Sequence, residues 1–275
     1  MLRIVRLVHP FPSVLDGLAI LAIAWLAGAG PGIAVRLALA MTLLQFAIGA
    51  SNDVADTLAD RGRHDKPLAA GLVSRRVAAA AAVLCAALGL VLAAISGPVV
   101  LVLAVAGLGL GLAYDVRLKR TSVAWLPFAI GIPLLVLFAW YGATGELTAP
   151  ALVVMPAGAL AGTALALGNA LVDPGADRAA GLVTPVVALG PARAWRLAAA
   201  LLAGTVGVGA GSLVLLGAVP GIVVASLAAG LLAGVGLWLA GDRQRAVRER
   251  GWELEAVGIA LLGAVWMAGV ATAAR

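Results

Sequence analysis

The sequence contains a single cysteine, Cys85, in a chain of 275 residues. One thiol excludes a disulfide framework within the chain and a metal site built from several thiolates. Charged residues are also scarce, since they make up 12% of the chain, whereas a typical soluble domain carries ~25%. The chain therefore has too few charged residues to cover the surface of an ordinary soluble domain, and this class of protein is excluded.

Apolar residues, in contrast, make up 63% of the chain, and its mean hydropathy is +1.09. Apolar stretches of about 18 residues or more recur from one end to the other, which is typical of membrane-spanning helices. Polar and apolar positions do not alternate along these stretches, so a transmembrane β-barrel is disfavoured. We therefore predict an all-α polytopic membrane protein.

Polar breaks divide the chain into nine predicted spans. The first apolar run has no convincing signal-peptide cleavage site and is followed by further spans, so we interpret it as a helix of the protein. The charged stretch 241–252, between the last two spans, is predicted to lie outside the bilayer. The predicted spans lie near residues 13–29, 32–51, 75–95, 98–115, 122–140, 150–172, 192–216, 219–240 and 254–273.

The basic residues indicate how the chain is oriented. Of the 19 Lys and Arg residues, 17 precede the first span or fall in the connections after spans 2, 4, 6 and 8, and only Arg36 and Arg275 fall on the other side. The positive-inside rule then predicts a cytoplasmic N-terminus and an outer C-terminus in the plasma or inner membrane. The net charge of +6 is thus a topology signal, and no nucleic-acid partner is expected.

Two acidic clusters with the same spacing follow spans 2 and 6. In the first, Asn52, Asp56 and Asp60 are four residues apart, with Asp53 beside Asn52. If the helix continues, this spacing places them along one helical face. The second cluster consists of Asn169, Asp173 and Asp177.

The two clusters are expected to face each other, because spans 2 and 6 end at the same membrane face. Close carboxylates repel one another unless a cation neutralises them, and oxygen ligands without imidazole or thiolate favour Mg²⁺. Such clusters can hold Mg²⁺ around a diphosphate leaving group. The repeat also indicates a single domain in which a four-helix unit occurs twice, over about 13–115 and 122–240, followed by a ninth helix over about 254–273.

Other interpretations of the acidic residues stay open at this point. Acidic residues at helix ends are often solvated caps. An ion- or proton-coupled transporter is the alternative of another class, although transporter carboxylates tend to lie near the bilayer midplane, whereas the span interiors here carry almost no charge. A non-catalytic scaffold gives no reason for two matching clusters. Pro174 further predicts that the helix ends at Asp173 and that Asp177 lies in a turn or a new short helix.

Three motifs of the chain resemble those of the UbiA superfamily of intramembrane prenyltransferases. They occur in the expected order, and the resemblance covers essentially the whole sequence. They are Asn52-Asp53-x2-Asp56-x3-Asp60 followed by Lys66-Pro67-Leu68-Ala69-Ala70-Gly71, then Tyr114-Asp115-x2-Leu118-Lys119-Arg120-Thr121, and last Asn169-x3-Asp173-x3-Asp177-x3-Gly181-x2-Thr184-x2-Val187-x-Leu189-Gly190.

The resemblance implies a helical bundle with a cytoplasm-facing active-site cavity. It implies a Mg²⁺-dependent enzyme that ionises an allylic prenyl diphosphate and transfers the prenyl group to an aromatic or other electron-rich acceptor, releasing pyrophosphate. A terpene cyclase of the same superfamily, which acts without an acceptor, is the alternative.

The resemblance also implies roles for individual residues. The implied Mg²⁺ ligands are Asn52, Asp56, Asp60, Asp173 and Asp177. The implied diphosphate-binding residues are Asn52, Lys66, Lys119, Arg120 and Asn169. Lys119 and the four aspartates are implied to be catalytic, together with Tyr114, whose ring is placed to face the allyl cation. Lys66 and Arg120 fit the positive-inside pattern equally well, and Tyr114 and Trp252 equally fit an aromatic belt at the membrane interface.

Overall fold

The computed structural model describes residues 6–57, 66–147 and 149–273, and within these ranges the chain forms nine long α-helices and no strand. Three-residue 3₁₀-helices occur at Arg6–Val8 and Leu118–Arg120, and two short α-helices, Pro174–Ala179 and Pro185–Leu189, follow the sixth long helix. The long helices are α1 (Pro10–Leu26), α2 (Pro31–Ala55), α3 (Arg75–Ile95), α4 (Pro98–Val116), α5 (Leu126–Thr144), α6 (Ala149–Leu171), α7 (Pro191–Leu215), α8 (Pro220–Leu239) and α9 (Arg245–Ala273).

Proline marks the start of many of these helices. Pro31, Pro98, Pro191 and Pro220 are each the first residue of a long helix. This position suits proline because the first backbone N–H of a helix has no intrahelical partner and the ring fixes φ near its helical value. The sequence therefore sets the start of each of these helices locally.

The helices pack in chain order and close into a ring. Each long helix contacts the next one, and α9 returns to pack against α1. Many of the fully buried residues are alanines, such as Ala34, Ala40, Ala164 and Ala233, and small side chains let helix backbones approach closely. The ring leaves a space at its centre, between α1, α2, α4, α5, α6 and α9, where the candidate site lies.

The outer surface of the ring is apolar. Leu215, Leu231 and Val83 are 89%, 70% and 69% exposed, a pattern that suits contact with lipid. Seven of the described long helices, α2 to α5 and α7 to α9, are long and apolar enough to cross a membrane, whereas α1 and the apolar part of α6, Met155–Leu171, are shorter. The all-α, multi-pass prediction is thus confirmed, and the count of nine spans stays a prediction for these two helices.

The observed helix bounds differ from the predicted spans at two places that matter for the site. Helix α2 continues past residue 51 as far as Ala55, and Asp56 is its C-terminal cap. Helix α9 begins at Arg245 rather than near 254, so part of the charged stretch 241–252 is helical. Arg and Glu are good helix formers, so the helix continues beyond its apolar part.

Candidate active site

A cavity of about 420 Å³ lies at the centre of the ring. Along α2 it is lined from Met41 to Asn52, a distance of about 16 Å at the helical rise per residue. Its deeper part is largely apolar, with Leu103, Leu135 and Phe138 among the lining residues. Its other end, called the polar end below, consists of His9, Asn52, Tyr114, Asp115, Lys119 and Asn169.

Lys119 joins the end of α2 to the loop after α4. The loop turns through the 3₁₀-helix Leu118–Arg120, which Thr121 stabilises by donating a hydrogen bond from Oγ1 to the Leu118 carbonyl at 2.8 Å. Lys119 Nζ then donates to Asn52 Oδ1 at 2.5 Å and to Asp56 Oδ2 at 2.7 Å. Two oxygen atoms of the first motif therefore converge on one cationic atom.

Arg120 provides a second cation beside the same carboxylate. Its Nη2 donates to Asp56 Oδ1 at 3.2 Å, and its side chain is 47% exposed. Lys119, in contrast, is only 13% exposed. The more enclosed of the two cations is thus the one that lines the cavity.

Asp53 has different partners from Asn52 and Asp56. It is buried, and its Oδ1 accepts hydrogen bonds from Lys66 Nζ at 2.6 Å and His9 Nε2 at 3.1 Å. Neither Asp53 nor Lys66 is among the described residues that line the cavity. Although Asp53 is next to Asn52 in the sequence, only Asn52 lines the cavity, because adjacent helical residues are rotated by about 100°.

The second motif is broken where Pro174 predicts a break. Helix α6 ends at Leu171, and Asp173 caps the short helix Pro174–Ala179 by accepting a hydrogen bond from the Ala176 backbone N–H at 3.2 Å. Asp177 lies within that short helix. The prediction that Asp177 lies in a new short helix is confirmed, whereas the helix ends two residues before the predicted Asp173.

The carboxylates of the second motif have different partners. Asp173 Oδ2 forms an ion pair with Arg245 Nε at 3.3 Å, at the start of α9. Asp177 Oδ2 accepts a hydrogen bond from Thr184 Oγ1 at 3.2 Å. Burial raises the pKa of the Asp177 carboxyl and the charge of Asp173 raises it further, whereas the Thr184 hydrogen bond lowers it.

Tyr114 brings the two motifs together. Its hydroxyl interacts with the side chain of Asn169, and the charges of Asp56 and Asp177 both act on it. Its ring packs edge-on against Phe128, with ring centroids 5.4 Å apart. Asn52 and Asn169, the first residues of the two motifs, line the same cavity, so the motifs meet at its polar end.

The polar end and the adjacent Asp56 provide side-chain oxygen atoms of the kind that Mg²⁺ binds. Asn52 Oδ1 and Asp56 Oδ2 already converge on one positive atom, and Mg²⁺ is usually bound by one or two carboxylates completed by water and substrate phosphate. Over the described ranges, no three Asp, Glu, His or Cys side chains form a ready-made metal cage. The oxygen atoms of Asn52 and Asp56 fit an ion whose other ligands are water and a diphosphate. Asp60, a predicted ligand, lies outside the described residues.

Sequence reasoning missed several polar residues that line the cavity on α1, at its N-terminal cap and on α2, and three of them stand out. They are His9, Asp16 and Gln45, and a lone carboxylate or amide within an apolar helix is itself a reason to expect function. Trp252, interpreted from the sequence as an interfacial residue, also lines the cavity and packs edge-on against Phe11 at 6.3 Å between centroids.

Comparison with known proteins agrees with this geometry. A family model described as the UbiA prenyltransferase family matches residues 14–260. Curated proteins give no significant match by sequence.

Solved structures share the fold. A UbiA homologue from Aeropyrum pernix K1 in its apo form is 20% identical, with a TM-score of 0.72, over 96% of this chain and 98% of that one. A UbiA homologue from Archaeoglobus fulgidus bound to GPP and Mg²⁺ is 21% identical, with a TM-score of 0.71, over 94% and 99%. A digeranylgeranylglyceryl phosphate synthase is 13% identical, with a TM-score of 0.71, over 99% and 100%.

Proposed function

Because this chain belongs to the UbiA prenyltransferase family, we propose that it is a Mg²⁺-dependent intramembrane prenyltransferase. It ionises an allylic prenyl diphosphate and transfers the prenyl group to an aromatic or other electron-rich acceptor, and pyrophosphate is released. The observation that supports this most directly is the convergence of both motifs on the polar end of one largely apolar cavity.

The cavity matches the two chemically different parts of a prenyl diphosphate. The hydrocarbon chain is stabilised by about 0.8 kcal/mol for each CH₂ group that leaves water, and the deeper walls, with residues such as Leu103 and Phe138, supply that surface. The diphosphate stays at the polar end. Lys119 and Arg120 bind its oxygen atoms there as cations, and Asn52 and Asn169 contact it through their amides.

The proposed ligands of Mg²⁺ are Asn52, Asp56, Asp173 and Asp177, with Asp60 as a further ligand predicted from the sequence. When bound, the ion neutralises negative charge on the leaving pyrophosphate. Lys66 supports this arrangement through its ion pair with Asp53, the residue next to Asn52 on α2.

Tyr114 stabilises the allyl cation that forms when the carbon–oxygen bond breaks. Its ring lines the polar end beside Phe128, where the electron-rich face of an aromatic ring stabilises a nearby cation. The apolar residues deeper in the cavity keep water away from the allyl cation, so that the acceptor captures it.

The test is a turnover assay with the purified protein in lipid nanodiscs. Geranyl, farnesyl and geranylgeranyl diphosphates are supplied with Mg²⁺, with and without electron-rich aromatic acceptors, and pyrophosphate is measured. We expect release that requires both Mg²⁺ and an acceptor, that EDTA abolishes and that excess Mg²⁺ restores. Hydrocarbon products without an acceptor would indicate a cyclase instead. Absence of any diphosphate turnover, combined with ion flux, would indicate a transporter and would refute the proposal.

A further inference from the structure

The cavity has two walls of different chemistry. The wall formed by α4 and α5 is apolar below the polar end, with residues such as Leu108, Gly131 and Leu135. The wall formed by α1 and α2 also carries polar side chains deeper in the cavity than Asn52, namely those of Asp16 and Gln45. A hydrocarbon chain cannot form hydrogen bonds with these polar side chains. The wall formed by α1 and α2 is therefore suited to a second, polar ligand group.

Asp16 and Gln45 form a pair deep in the cavity. Gln45 Nε2 donates a hydrogen bond to Asp16 Oδ2 at 2.5 Å. Gln45 precedes Asn52 by two helical turns on the same face of α2, which places it about 10 Å farther from the polar end. Both residues line the cavity and are partly buried.

Close packing of α1 against α2 holds this pair in place. A Cβ atom at Gly17 would lie 2.0 Å from Thr42 Oγ1 and 3.3 Å from the Ala38 carbonyl oxygen, so glycine favours close approach of the two helices here. Gly17 follows Asp16 directly, and Thr42 lies one turn from Gln45. The contact between Gly17 and Thr42 therefore brings Asp16 and Gln45 together. The hydrogen bond between Asp16 and Gln45 is not needed to hold the two helices, so the pair can bind a ligand.

The hydrogen-bonding capacity of the pair indicates which ligand group it takes. The amide of Gln45 already donates to Asp16, which leaves the carbonyl oxygen of Gln45 and the second carboxylate oxygen of Asp16 as acceptors. Two acceptors side by side match a group that donates hydrogen bonds. They disfavour a carboxylate, because its oxygen atoms and theirs would remain unpaired in an apolar surrounding, which is costly.

We propose that Asp16 and Gln45 form the subsite for the end of the acceptor that is remote from the new bond, and that this end carries a hydroxyl or amino group. The inference rests on the proposed function, since the reacting atom of the acceptor must lie near the diphosphate at the polar end. Both residues are positioning residues that select the acceptor class. Phenols, alcohols and amines are favoured, and acceptors with a carboxylate at that end are rejected.

The test compares four naphthalene probes that share one reactive ring and differ in the remote group. They are 1,5-naphthalenediol, 5-amino-1-naphthol, 1-naphthol and 5-hydroxy-1-naphthoic acid. Their Kd values are measured on the full chain in nanodiscs with Mg²⁺ and geranyl thiolodiphosphate, an analogue that ionises slowly. We expect the diol and the aminonaphthol to bind about tenfold more tightly than 1-naphthol, as two hydrogen bonds imply, and the naphthoate to bind most weakly.

Two variants locate this preference. Asp16→Asn and Gln45→Leu are each expected to bring the Kd values of the diol and 1-naphthol within about twofold, and Asp16→Asn also to strengthen binding of the naphthoate. Ser13→Ala is the matched control on the same wall. The Ser13 hydroxyl is already bonded to the Val8 and His9 carbonyls, so the order of the probes should not change.

The outcomes separate this inference from the proposed function. Binding of geranyl thiolodiphosphate with no preference among the probes, or no binding of any probe, overturns the subsite alone. An unchanged order in both Asp16→Asn and Gln45→Leu, with only a lower unfolding temperature, shows that the pair merely ties α1 to α2 and also overturns it. Failure of the wild type to bind geranyl thiolodiphosphate overturns both.

Discussion

Lys119 is the residue whose removal tests the polar end most directly. Its ammonium group contacts both Asn52 and Asp56 and is largely enclosed. Lys119→Met removes charge-assisted hydrogen bonds to the diphosphate worth about 1.5–3 kcal/mol, so we expect kcat/KM for the prenyl diphosphate to fall by roughly 10- to 100-fold. Steady-state kinetics with pyrophosphate detection measure this.

The matched control for Lys119 is Arg117→Met in the same loop. Arg117 is exposed and no side-chain partner of it is found in the described ranges, so we expect kcat/KM to change by less than about twofold. An equal loss in both variants would mean that the general positive charge of the loop matters, and that Lys119 has no specific contact.

Glu255 offers a prediction about stability. It is 0% exposed, and neither of its carboxylate oxygens has a hydrogen-bond partner among the described residues. Burying a polar group without a partner costs about 1–3 kcal/mol. Glu255→Met, which has a similar length and no charge, should therefore raise the unfolding temperature in detergent by several degrees.

A different outcome for Glu255→Met would contradict the prediction about stability. If Glu255→Met left the unfolding temperature unchanged and lowered turnover by more than about tenfold, the unpaired carboxylate would take part in the reaction. Activity measured beside thermal unfolding on the same samples separates the two.

Local spacing in the sequence predicts part of the site and misses another part. Asn52 and Asp56 lie together as their four-residue separation predicts, because both belong to the last turn of α2 and its cap. One of the two partners of Asp53 is His9, which has a positive φ of 46° at the start of α1. Contacts between residues so far apart in sequence depend on how α1 packs against α2, and no local pattern encodes that packing.

Close packing between helices α8 and α9 requires glycine at a point where the two backbones meet. A Cβ atom at Gly236 would lie 2.3 Å from the Glu255 backbone nitrogen and 2.6 Å from the Gly251 carbonyl oxygen. Gly236→Ala therefore forces the two backbones apart, and overpacking of this kind costs about 1–3 kcal/mol. We expect a lower unfolding temperature.

Gly234 provides the matched control on the same helix. A Cβ atom there would meet nothing within 4 Å, and alanine is a better helix former than glycine. Gly234→Ala should leave the unfolding temperature unchanged or slightly higher. Equal destabilisation by both substitutions would show that glycine in α8 is needed for some reason other than the contact with α9.

Several helix starts that proline marks agree with the predicted spans to within one residue, whereas starts without proline agree less consistently. Prolines such as Pro98 and Pro191 fix the first residue of a helix locally. The start of α9 at Arg245 was missed, because the prediction followed hydropathy and the helix extends past its apolar part. Asp173 likewise caps the next short helix instead of ending α6, a choice that depends on its hydrogen bond to the Ala176 N–H.

The whole molecule combines features that the sequence predicts with others that it does not. Composition is enough to predict an all-α membrane protein, since apolar helices are the ready way to satisfy backbone groups in lipid. The closure of the ring by α9 against α1 and the polar wall at Asp16 and Gln45 depend on packing between distant segments. The internal repeat of two four-helix units stays a prediction from the spacing of the motifs.

Orientation in the membrane is the last prediction, and it belongs to the molecule as a whole. The acidic motifs and most of the described basic residues lie at one end of the ring, whereas Arg36, near the other end, is held by a hydrogen bond from its Nε to Ser96 Oγ at 2.9 Å. The positive-inside rule then places the polar end in the cytoplasm, where a diphosphate substrate reaches it from water. In a Cys85→Ser background, we expect Gln244→Cys to be protected in intact cells from a membrane-impermeant maleimide, and Glu146→Cys, in an exposed connection at the opposite end, to be labelled. Labelling of Gln244→Cys with protection of Glu146→Cys would reverse the orientation, and the diphosphate would then have to be supplied from outside the cell.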